Sequence, residues 1–390
     1  MIDIDIVKKL GDFTLNMKFK SDDEVVALLG ASGCGKSMTL KCIAGIEKPD
    51  KGHIIVDGVT LFDSEKGINL TPQKRHTGLM FQNYALFPNM SVRQNIEAGA
   101  RREKDRSLRR LKVDQVIKSF GLEKVEKLYP SQISGGQQQR AALARILVSD
   151  PVILLLDEPF SALDSHLRFR MEQEVGKVMR DFGKTVIMVS HDRDEVFQLC
   201  DKIAVINDGA VDVYGTQKEI FTNPVTRNAA VLTGCRNISA VEIFAENNSD
   251  APLDEENLTE ANAEISSENY FTESSVENSV ADGGQVTLRA ADWNINLTVG
   301  HVPADTKYIG IRAHDLRFVA DEDEPRANVI SCNVISEIES PFTYHITLQS
   351  ADSPEASTFE WNIEKEIWQE IRAEQVKLYF PPEAVIFLKK

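Results

Sequence analysis

A loop of eight residues near the start of the chain constrains the fold more than any other feature. The loop Gly30–Ser37 reads GASGCGKS and fits the pattern G-x-x-x-x-G-K-[ST] in full. A predicted strand, Glu24–Leu29, precedes it, and a helical pattern, Ser37–Ile43, follows it. Its glycines let backbone N–H groups point at phosphates, and the helix N-terminus adds a partial positive charge. We therefore expect a phosphate-binding loop in which Lys36 reaches the β- and γ-phosphates of a nucleotide and Ser37 ligates Mg²⁺.

The overall composition excludes several classes of protein. The net charge of −16 argues against a nucleic-acid binder that works by neutralising phosphates. No apolar run approaches the ~20 residues that span a bilayer, and the first residues lack the basic and apolar regions of a secretory signal. The 5 cysteines have no metal-ligand spacing, and an odd count fits a reducing compartment. We expect a soluble chain in the cytosol, held on the cytosolic face of a membrane only through partners.

The pattern of apolar runs predicts two domains of different classes. Strands of a sheet covered on both faces are predicted at Val25–Leu29, Val152–Leu156, Thr185–Val189 and Ile203–Ile206. A more helical stretch, Val92–Val148, separates the first two runs, so residues 1–240 are expected to form an α/β domain with a helical subdomain at about 90–150. From residue 285 onwards the apolar period changes to two. The strands predicted there are Val286–Ala290, Lys307–Arg312, Asn328–Ile338, Tyr344–Gln349, Thr358–Ile363 and Gln375–Phe380, which together suit a small all-β barrel in residues 285–390.

An acidic segment lies between these two domains. Glu242–Asp282 contains 12 acidic residues and no lysine or arginine. Such a composition buries little, so residues 241–284 are predicted to be a flexible insert or linker. A solvated insertion and a regulatory or binding tail remain the two interpretations.

Two adjacent carboxylates end the second apolar run. Because neighbouring residues at a strand end point in different directions, one acid can serve a metal while the other faces a water. We assign Asp157 to Mg²⁺ and Glu158 to polarising the attacking water as general base. The alternative is that both are helix caps. Two further polar residues, His191 and Gln82, follow predicted strands and are expected at the same edge, with His191 contacting the γ-phosphate.

A second anion-binding element precedes a strongly helical segment. Ser134, Gly135, Gly136 and Gln137 stand at the predicted start of this helix, where unpaired N–H groups attract anions. The chain has only one phosphate-loop lysine motif. Two phosphate-binding elements and one such loop suggest that the second element serves the nucleotide of another subunit.

Together and in this order, these motifs resemble the ATP-binding subunits of ABC transporters. The resemblance covers residues 1 to about 240. It identifies Gly30–Ser37 as the Walker A loop, Val152–Asp157 as the Walker B strand, Ile133–Gln137 as the signature motif and 161–164 as the D-loop. It implies an α/β P-loop ABC ATPase domain followed by a small OB-like or TOBE-like barrel, and a homodimer with two ATP molecules sandwiched between the chains.

The resemblance also implies a role for each motif residue. The catalytic residues would be Glu158, His191 and Gln82, and the Mg²⁺ ligands Ser37, Gln82 and Asp157. ATP would contact Gly30, Ala31, Ser32, Gly33, Cys34, Gly35, Lys36, Ser37, Met38 and Asp157 of one chain and Ser134, Gly135, Gly136 and Gln137 of the other. The aromatic residue that stacks on adenine has Phe13 as its nearest candidate, and Phe13 could equally be a core residue.

Finer resemblances point to an importer and to its cargo. The stretch Asn83–Pro88 resembles importers, in which this region receives a helix of the membrane permease. Residues 63–75, Thr233–Asn237 and Ile309–Asp315 resemble molybdate and sulfate importer ATPases, more closely the molybdate branch. The resemblance implies permease subunits and an extracytoplasmic oxyanion-binding protein as partners, with molybdate or tungstate as cargo.

Alternatives remain at each level of this interpretation. A sulfate or thiosulfate importer is the closest, and a soluble non-transport ABC ATPase is a distant one. The C-terminal barrel could sense an oxyanion through Arg312 and Lys307 or serve only to join two copies.

Overall fold

The computed structural model describes residues 1–161, 165–244, 286–320 and 327–389, without the side chains of residues 165–167 and 244. Within these ranges the chain forms two compact units, Met1–Thr222 and Asn223–Lys390. The acidic segment beyond residue 244 and residues 162–164 of the D-loop lie outside the described residues.

A mixed sheet of eleven described strands organises the first unit. In spatial order the strands are β6 (Ile68–Asn69), β5 (Val59–Asp63), β4 (Lys51–Val56), β1 (Ile2–Leu10), β2 (Phe13–Ser21), β11 (Ala210–Thr216), β10 (Lys202–Asn207), β3 (Val25–Gly30), β9 (Val186–Ser190), β8 (Ile153–Asp157) and β7 (Thr77–Met80). The strands from β10 to β7 run parallel, so their carboxyl ends share one edge. The four predicted apolar runs are confirmed as central strands of this parallel part, where β3 and β9 are buried throughout.

On the other side of the sheet, strands β1, β2, β4, β5 and β6 pair antiparallel. Strands β1 and β2 pair along their whole length, and β1 also pairs with β4. Their buried positions alternate at Ile2, Ile4 and Ile6 and again at Leu15, Met17 and Phe19. This alternation is typical of strands with one face on the core. The core of the unit therefore lies on the inner face of this part of the sheet and continues beneath β3.

Helices surround the parallel part, and three of them form the predicted helical subdomain. The helices of the first unit are α1 (Lys36–Ala44), α2 (Pro72–Arg75), α3 (Val92–Gly99), α4 (Arg106–Ser119), α5 (Gly135–Leu147), α6 (Ser165–Phe182), α7 (Arg193–Leu199) and α8 (Gln217–Thr222). Helices α3, α4 and α5 share a buried cluster of their own that includes Val92, Ile96, Val113, Ile117 and Ala141. This separate core makes the three helices a packing unit within the first unit.

The second unit is a small β domain, as predicted. Its described strands form two five-stranded sheets in the orders β14-β13-β12-β15-β21 and β16-β20-β17-β18-β19. Their bounds are β12 (Asn237–Phe244), β13 (Val286–Ala290), β14 (Ile295–Val299), β15 (Tyr308–Ile311), β16 (Arg317–Val319), β17 (Val329–Glu339), β18 (Thr343–Ser350), β19 (Phe359–Glu364), β20 (Gln375–Tyr379) and β21 (Ile386–Leu388), with helices α9 (Arg227–Leu232) and α10 (Lys365–Ile371). One core rich in tryptophan joins the two sheets.

Two boundaries differ from the sequence prediction. The chain divides after residue 222 instead of near 240, because Ala230 and Cys235 pack with Ile386 and Leu388 of the β domain. Residues 241–244, predicted as the start of the flexible insert, belong to β12. There Glu242 pairs in register with Arg289 and its carboxylate lies 3.5 Å from the guanidinium. A strand partner thus overrides the acidic composition at this end of the segment.

No helix among the described residues is both long and apolar enough to cross a bilayer.

Candidate active site

The loop Gly30–Ser37 connects the end of β3 directly to the start of α1. Gly33 has a φ of 82° and Gly35 a φ of 101°, left-handed values that glycine adopts without strain. Gly35 is also the N-cap of α1, and no side chain caps this helix end. The first N–H groups of α1 therefore have no side-chain acceptor, which is the arrangement that binds phosphate oxygens.

Lys36 is held over this loop by the loop itself. Its side chain is buried, and Nζ donates to the carbonyl oxygens of Gly30 and Ala31 at 2.8 and 2.7 Å. The Sγ of Cys34 lies 3.8 Å from the same ammonium. These carbonyls fix the direction of the positive charge before any phosphate arrives, so little rotamer freedom remains to be lost on binding.

Ser37 and Asp157 meet across the loop. The Ser37 hydroxyl donates to Oδ1 of Asp157 at 2.8 Å. Burial raises the pKa of Asp157, the Ser37 hydrogen bond opposes the shift, and the neighbouring Glu158 adds to it. A half-buried carboxylate beside a hydroxyl is a pair of hard oxygen donors that suits Mg²⁺.

A metal at this point would need ligands beyond amino acids. Across the described ranges, no cluster of three or more His, Cys, Asp or Glu side chains could hold a metal ion. Mg²⁺ commonly uses one or two protein oxygens, with waters and substrate phosphates completing an octahedron. The Ser37–Asp157 pair beside a phosphate loop fits that arrangement.

Glu158, Gln82 and His191 form the second cluster at this sheet edge. The Gln82 amide donates to Oε2 of Glu158 at 3.2 Å, and Nδ1 of His191 lies 3.5 Å from Oε1. Glu158 has a φ of 45°, an uncommon value for a residue other than glycine. Its N–H donates to the carbonyl of Val189 at the end of β9, which fixes this strained backbone. The structure thus brings together the three side chains that the sequence placed at separate strand ends.

The glycine-rich element at Ser134 begins α5. Ser134 is the N-cap, its Oγ accepts from the Gln137 N–H, and its own N–H donates to Oε1 of Gln137. The helix begins at Gly135, so both glycines lie in its first turn. In the described part of the chain, the hydrogen bonds of Ser134 and Gln137 stay within this cap. The element is not joined to the phosphate loop of its own chain by such a bond.

Phe13 lies beside the phosphate loop at the start of β2. A β-carbon placed on Gly35 would lie 3.3 Å from its Cζ, and one placed on Gly209 would lie 2.9 Å from the same atom. The ring is only partly buried and packs at the margin of the main core. It is therefore both a core neighbour and an apolar surface next to the loop.

The D-loop stretch is described only at its first residue. Ser161 donates from its hydroxyl and from its N–H to the carbonyl of Glu158, at 3.0 and 3.3 Å. This turn ties the segment that follows β8 back to Glu158.

Comparisons with known proteins match part of this chain. Residues 14–161 match the family model described as "ABC transporter". Over 225 residues the chain is 43% identical to "Spermidine/putrescine import ATP-binding protein PotA" of Nitratidesulfovibrio vulgaris, covering 57% of this chain and 59% of the relative. Over 214 residues it is 42% identical to "Sulfate/thiosulfate import ATP-binding protein CysA 2" of Chromobacterium violaceum, covering 55% of this chain and 57% of the relative. The chain thus matches less than two thirds of the length of these curated relatives.

A solved structure is also similar to part of this chain. "Dimeric Structure of MJ0796, a Bacterial ABC Transporter Cassette" is 30% identical, covers 56% of this chain and 99% of that one, and has a TM-score of 0.48.

Proposed function

We propose that this chain, whose residues 14–161 match the ABC transporter family, is the ATP-binding and ATP-hydrolysing subunit of an ABC importer. One observation carries the proposal. A phosphate loop, a Ser37–Asp157 pair and a Glu158–Gln82–His191 cluster meet at one edge of a parallel sheet. Each group has a separate task in cleaving a nucleoside triphosphate.

The phosphate loop and Lys36 would bind the triphosphate. The uncapped N-terminus of α1 supplies N–H donors and a partial positive charge, and Lys36 adds a full charge already aimed by two carbonyls. Phe13, beside Gly35, offers an apolar ring for the base. The ATP-contacting set Gly30–Met38 therefore lies in a single loop and helix start.

Ser37 and Asp157 would hold Mg²⁺, with Gln82 completing the protein ligands. When bound, the ion would neutralise charge that develops on the phosphate oxygens. Ionised Asp157 is disfavoured by burial in the free chain, and a cation beside it offsets that penalty. The carboxylate is thus positioned so that metal binding stabilises its charged form.

Glu158 would accept the proton of the attacking water. Its carboxylate is partly exposed, with 23% of the side chain accessible, so a water can reach it. Gln82 donates to one of its oxygens and His191 flanks the other, which orients the carboxylate. His191 would donate to the γ-phosphate.

Two copies of the chain would share each nucleotide. The N-terminus of α5 offers the N–H groups of Gly135 and Gly136 and the side-chain amide of Gln137 beside Ser134, and it makes no hydrogen bond to the described phosphate loop of its own chain. A second copy can bring this terminus to the γ-phosphate. The proposed assembly is a symmetric dimer with two ATP molecules between the chains.

The partners beyond the dimer are permease subunits and, through them, an extracytoplasmic binding protein. The relatives described above are named as import ATP-binding proteins. The loop that follows Gln82 and helices α3 and α5 would receive the permease, which places the subunit on the cytoplasmic face of the membrane. Nucleic acid is not a proposed partner, given the net charge of −16.

Molybdate or tungstate is the proposed cargo, on the strength of residues 63–75, Thr233–Asn237 and Ile309–Asp315. Sulfate or thiosulfate is the second candidate, favoured by the relative of that name, and relatives named for spermidine and putrescine raise polyamines as a third. An oxyanion sensor in the β domain gains no support from Arg312, whose guanidinium donates to the Thr233 carbonyl at 2.7 Å.

Two measurements test these proposals in order. The purified chain should hydrolyse ATP only with Mg²⁺, and absence of turnover under all conditions would exclude the ATPase role. Uptake of labelled molybdate, tungstate, sulfate and spermidine is then compared in cells with and without the chain. We expect loss of molybdate and tungstate uptake, whereas loss of sulfate or spermidine uptake alone would reassign the cargo.

A further inference from the structure

The loop after Gln82 holds an unusual backbone. Tyr84 and Ala85 both have left-handed conformations, with φ values of 58° and 44°. Neither residue is glycine, so both positions are strained, and such pairs persist only where their surroundings fix them. Their N–H groups donate to the carbonyls of Phe81 and Asn83 within the loop, and their own carbonyls are held from outside it.

Arg145, in the last turn of α5, provides that hold. Its guanidinium donates to the Ala85 carbonyl at 2.7 Å and to the Tyr84 carbonyl at 3.0 Å. The same group lies 5.3 Å above the ring centre of Phe87. Among the described residues Arg145 has no carboxylate partner, and burial lowers the pKa of its guanidinium. The hydrogen bonds of its guanidinium described here therefore all go to this loop.

Asn95 of α3 fastens the next part of the same loop. Its side chain is fully buried, accepts from the Phe87 N–H at 2.8 Å, and donates to the carbonyls of Phe87, Met90 and Ser91. A β-carbon placed on Gly99 would lie 1.9 Å from the Arg145 carbonyl, so α3 and α5 are in backbone contact there. The loop from residue 84 to residue 91 is consequently anchored to the helical subdomain.

Only Asn83 separates this anchored part from Gln82. Gln82 in turn donates to Glu158 on the opposite side, at the edge of the sheet. We propose that Arg145 is a positioning residue for catalysis: by holding the left-handed pair Tyr84–Ala85 against α5, it places the Gln82 amide on Glu158. This inference rests on the proposed function and names a residue that the sequence motifs did not.

Helix α5 connects Arg145 to the Ser134 element. Arg145 lies ten residues after Gly135 in α5, and at 1.5 Å per residue this is about 15 Å along one rigid helix. The first turn of that helix carries the Ser134 element, proposed to meet the nucleotide of the other chain. A shift of α5 that follows this encounter would therefore reach Gln82 through Arg145.

The test combines Arg145→Ala, Arg145→Lys, Gln82→Ala and the double variant in the full-length chain. We expect Arg145→Ala to lower kcat about tenfold or more, because small misplacements of a catalytic group have effects of that size, and to leave the KM for ATP unchanged. Lysine can satisfy one of the two carbonyls, so Arg145→Lys should restore part of the rate. In the double variant, the loss should equal that of Gln82→Ala alone, because Arg145 acts through Gln82.

Arg109→Ala is the matched control. Arg109 also donates to a backbone carbonyl in the helical subdomain, that of Glu103, but its described hydrogen bonds do not reach the loop after Gln82. It should keep the wild-type kcat. Wild-type turnover in Arg145→Ala, or losses that multiply in the double variant, would overturn the positioning role.

Hydrogen exchange provides a readout that does not depend on turnover. Arg145→Ala should raise the exchange of the amides of residues 82–87, and Arg109→Ala should not. Unchanged exchange there would overturn the inference even if the rate fell. A wild-type chain without ATP hydrolysis would instead contradict the proposed function, while the exchange result would still decide whether Arg145 holds the loop.

Discussion

The hydroxyl of Ser37 donates a 2.8 Å hydrogen bond to Asp157, and this bond joins residues 120 positions apart in the chain. Ser37 stands in the first turn of α1 and Asp157 is the last residue of β8. The bond therefore links the two elements that surround the proposed metal position. It also leaves a half-buried carboxylate with a neutral hydrogen-bond partner, the Ser37 hydroxyl, where a cation would be more favourable.

Asp157→Asn should stabilise the nucleotide-free chain and abolish Mg²⁺-dependent hydrolysis. Because burial raises the pKa of Asp157 in the folded state, its ionised form opposes folding at neutral pH. This penalty disappears as the pH falls through the folded-state pKa, where the carboxyl takes up a proton. Thermal unfolding without nucleotide should show a higher Tm than the wild type at pH 7.5, and the difference in Tm should shrink towards acidic pH.

The control for this variant is Asp12→Asn, which removes the same charge from an exposed side chain. It should change the Tm little at any pH. A lower Tm for Asp157→Asn at pH 7.5 would contradict the claim that the buried charge is unfavourable in the free chain.

Lys36→Ala should weaken ATP binding by at least about 100-fold, the size expected when a charged, hydrogen-bonded contact worth roughly 3 kcal/mol is removed. Titration calorimetry with ATP measures this directly. Lys48→Ala, which removes an exposed lysine after α1, serves as the control for lost charge. Wild-type affinity in Lys36→Ala would exclude the loop as the triphosphate site.

Glu158→Gln should reduce kcat on the order of 10³-fold, since a lost general base commonly costs between 10² and 10⁴. The glutamine side chain keeps a carbonyl that can accept from Gln82 but cannot take the proton of the water. ATP should therefore remain bound, and light scattering should detect dimers that persist with ATP and are absent with Lys36→Ala. Substantial residual turnover would remove Glu158 from the role of base.

Much of this site could be predicted because its residues follow buried strands. The apolar runs before Gly30, Asp157 and His191 place all three at carboxyl ends of parallel strands, which share an edge by geometry. The alternation at Ile2, Ile4 and Ile6 is an equally clear signal for β1, a strand that is not among those predicted above.

Other features leave no pattern in the sequence. The left-handed backbone of Glu158 and of the pair Tyr84–Ala85 occurs in residues that rarely adopt it, and tertiary contacts with Val189 and Arg145 impose it. Propensity cannot predict a conformation that only distant partners make stable. Likewise β12 extends into the acidic segment because Glu242 pairs with Arg289, which lies far along the chain.

Mixing two inactive variants tests the shared nucleotide site. Lys36→Ala disables the phosphate loop of its own chain, and Ser134→Arg fills the N-terminus of α5 with a bulky side chain, at a cost of about 1 kcal/mol for the lost cap. Each homodimer should be inactive. In a mixed dimer, one site carries both lesions and the other carries neither. Random mixing makes about half of the dimers mixed, so up to about a quarter of all sites should be intact.

Hydrolysis by the mixture, with each variant alone inactive, is the expected result. Ser134→Arg alone should still bind ATP with near wild-type affinity, because its phosphate loop is untouched. The control mixes Lys36→Ala with Glu158→Gln: both residues belong to the same side of the site, so each site of that mixed dimer contains one lesion and no activity should return. No recovery with Ser134→Arg would mean that Ser134 serves the nucleotide of its own chain. Recovery in the control would mean that Lys36 and Glu158 of one chain do not serve the same nucleotide.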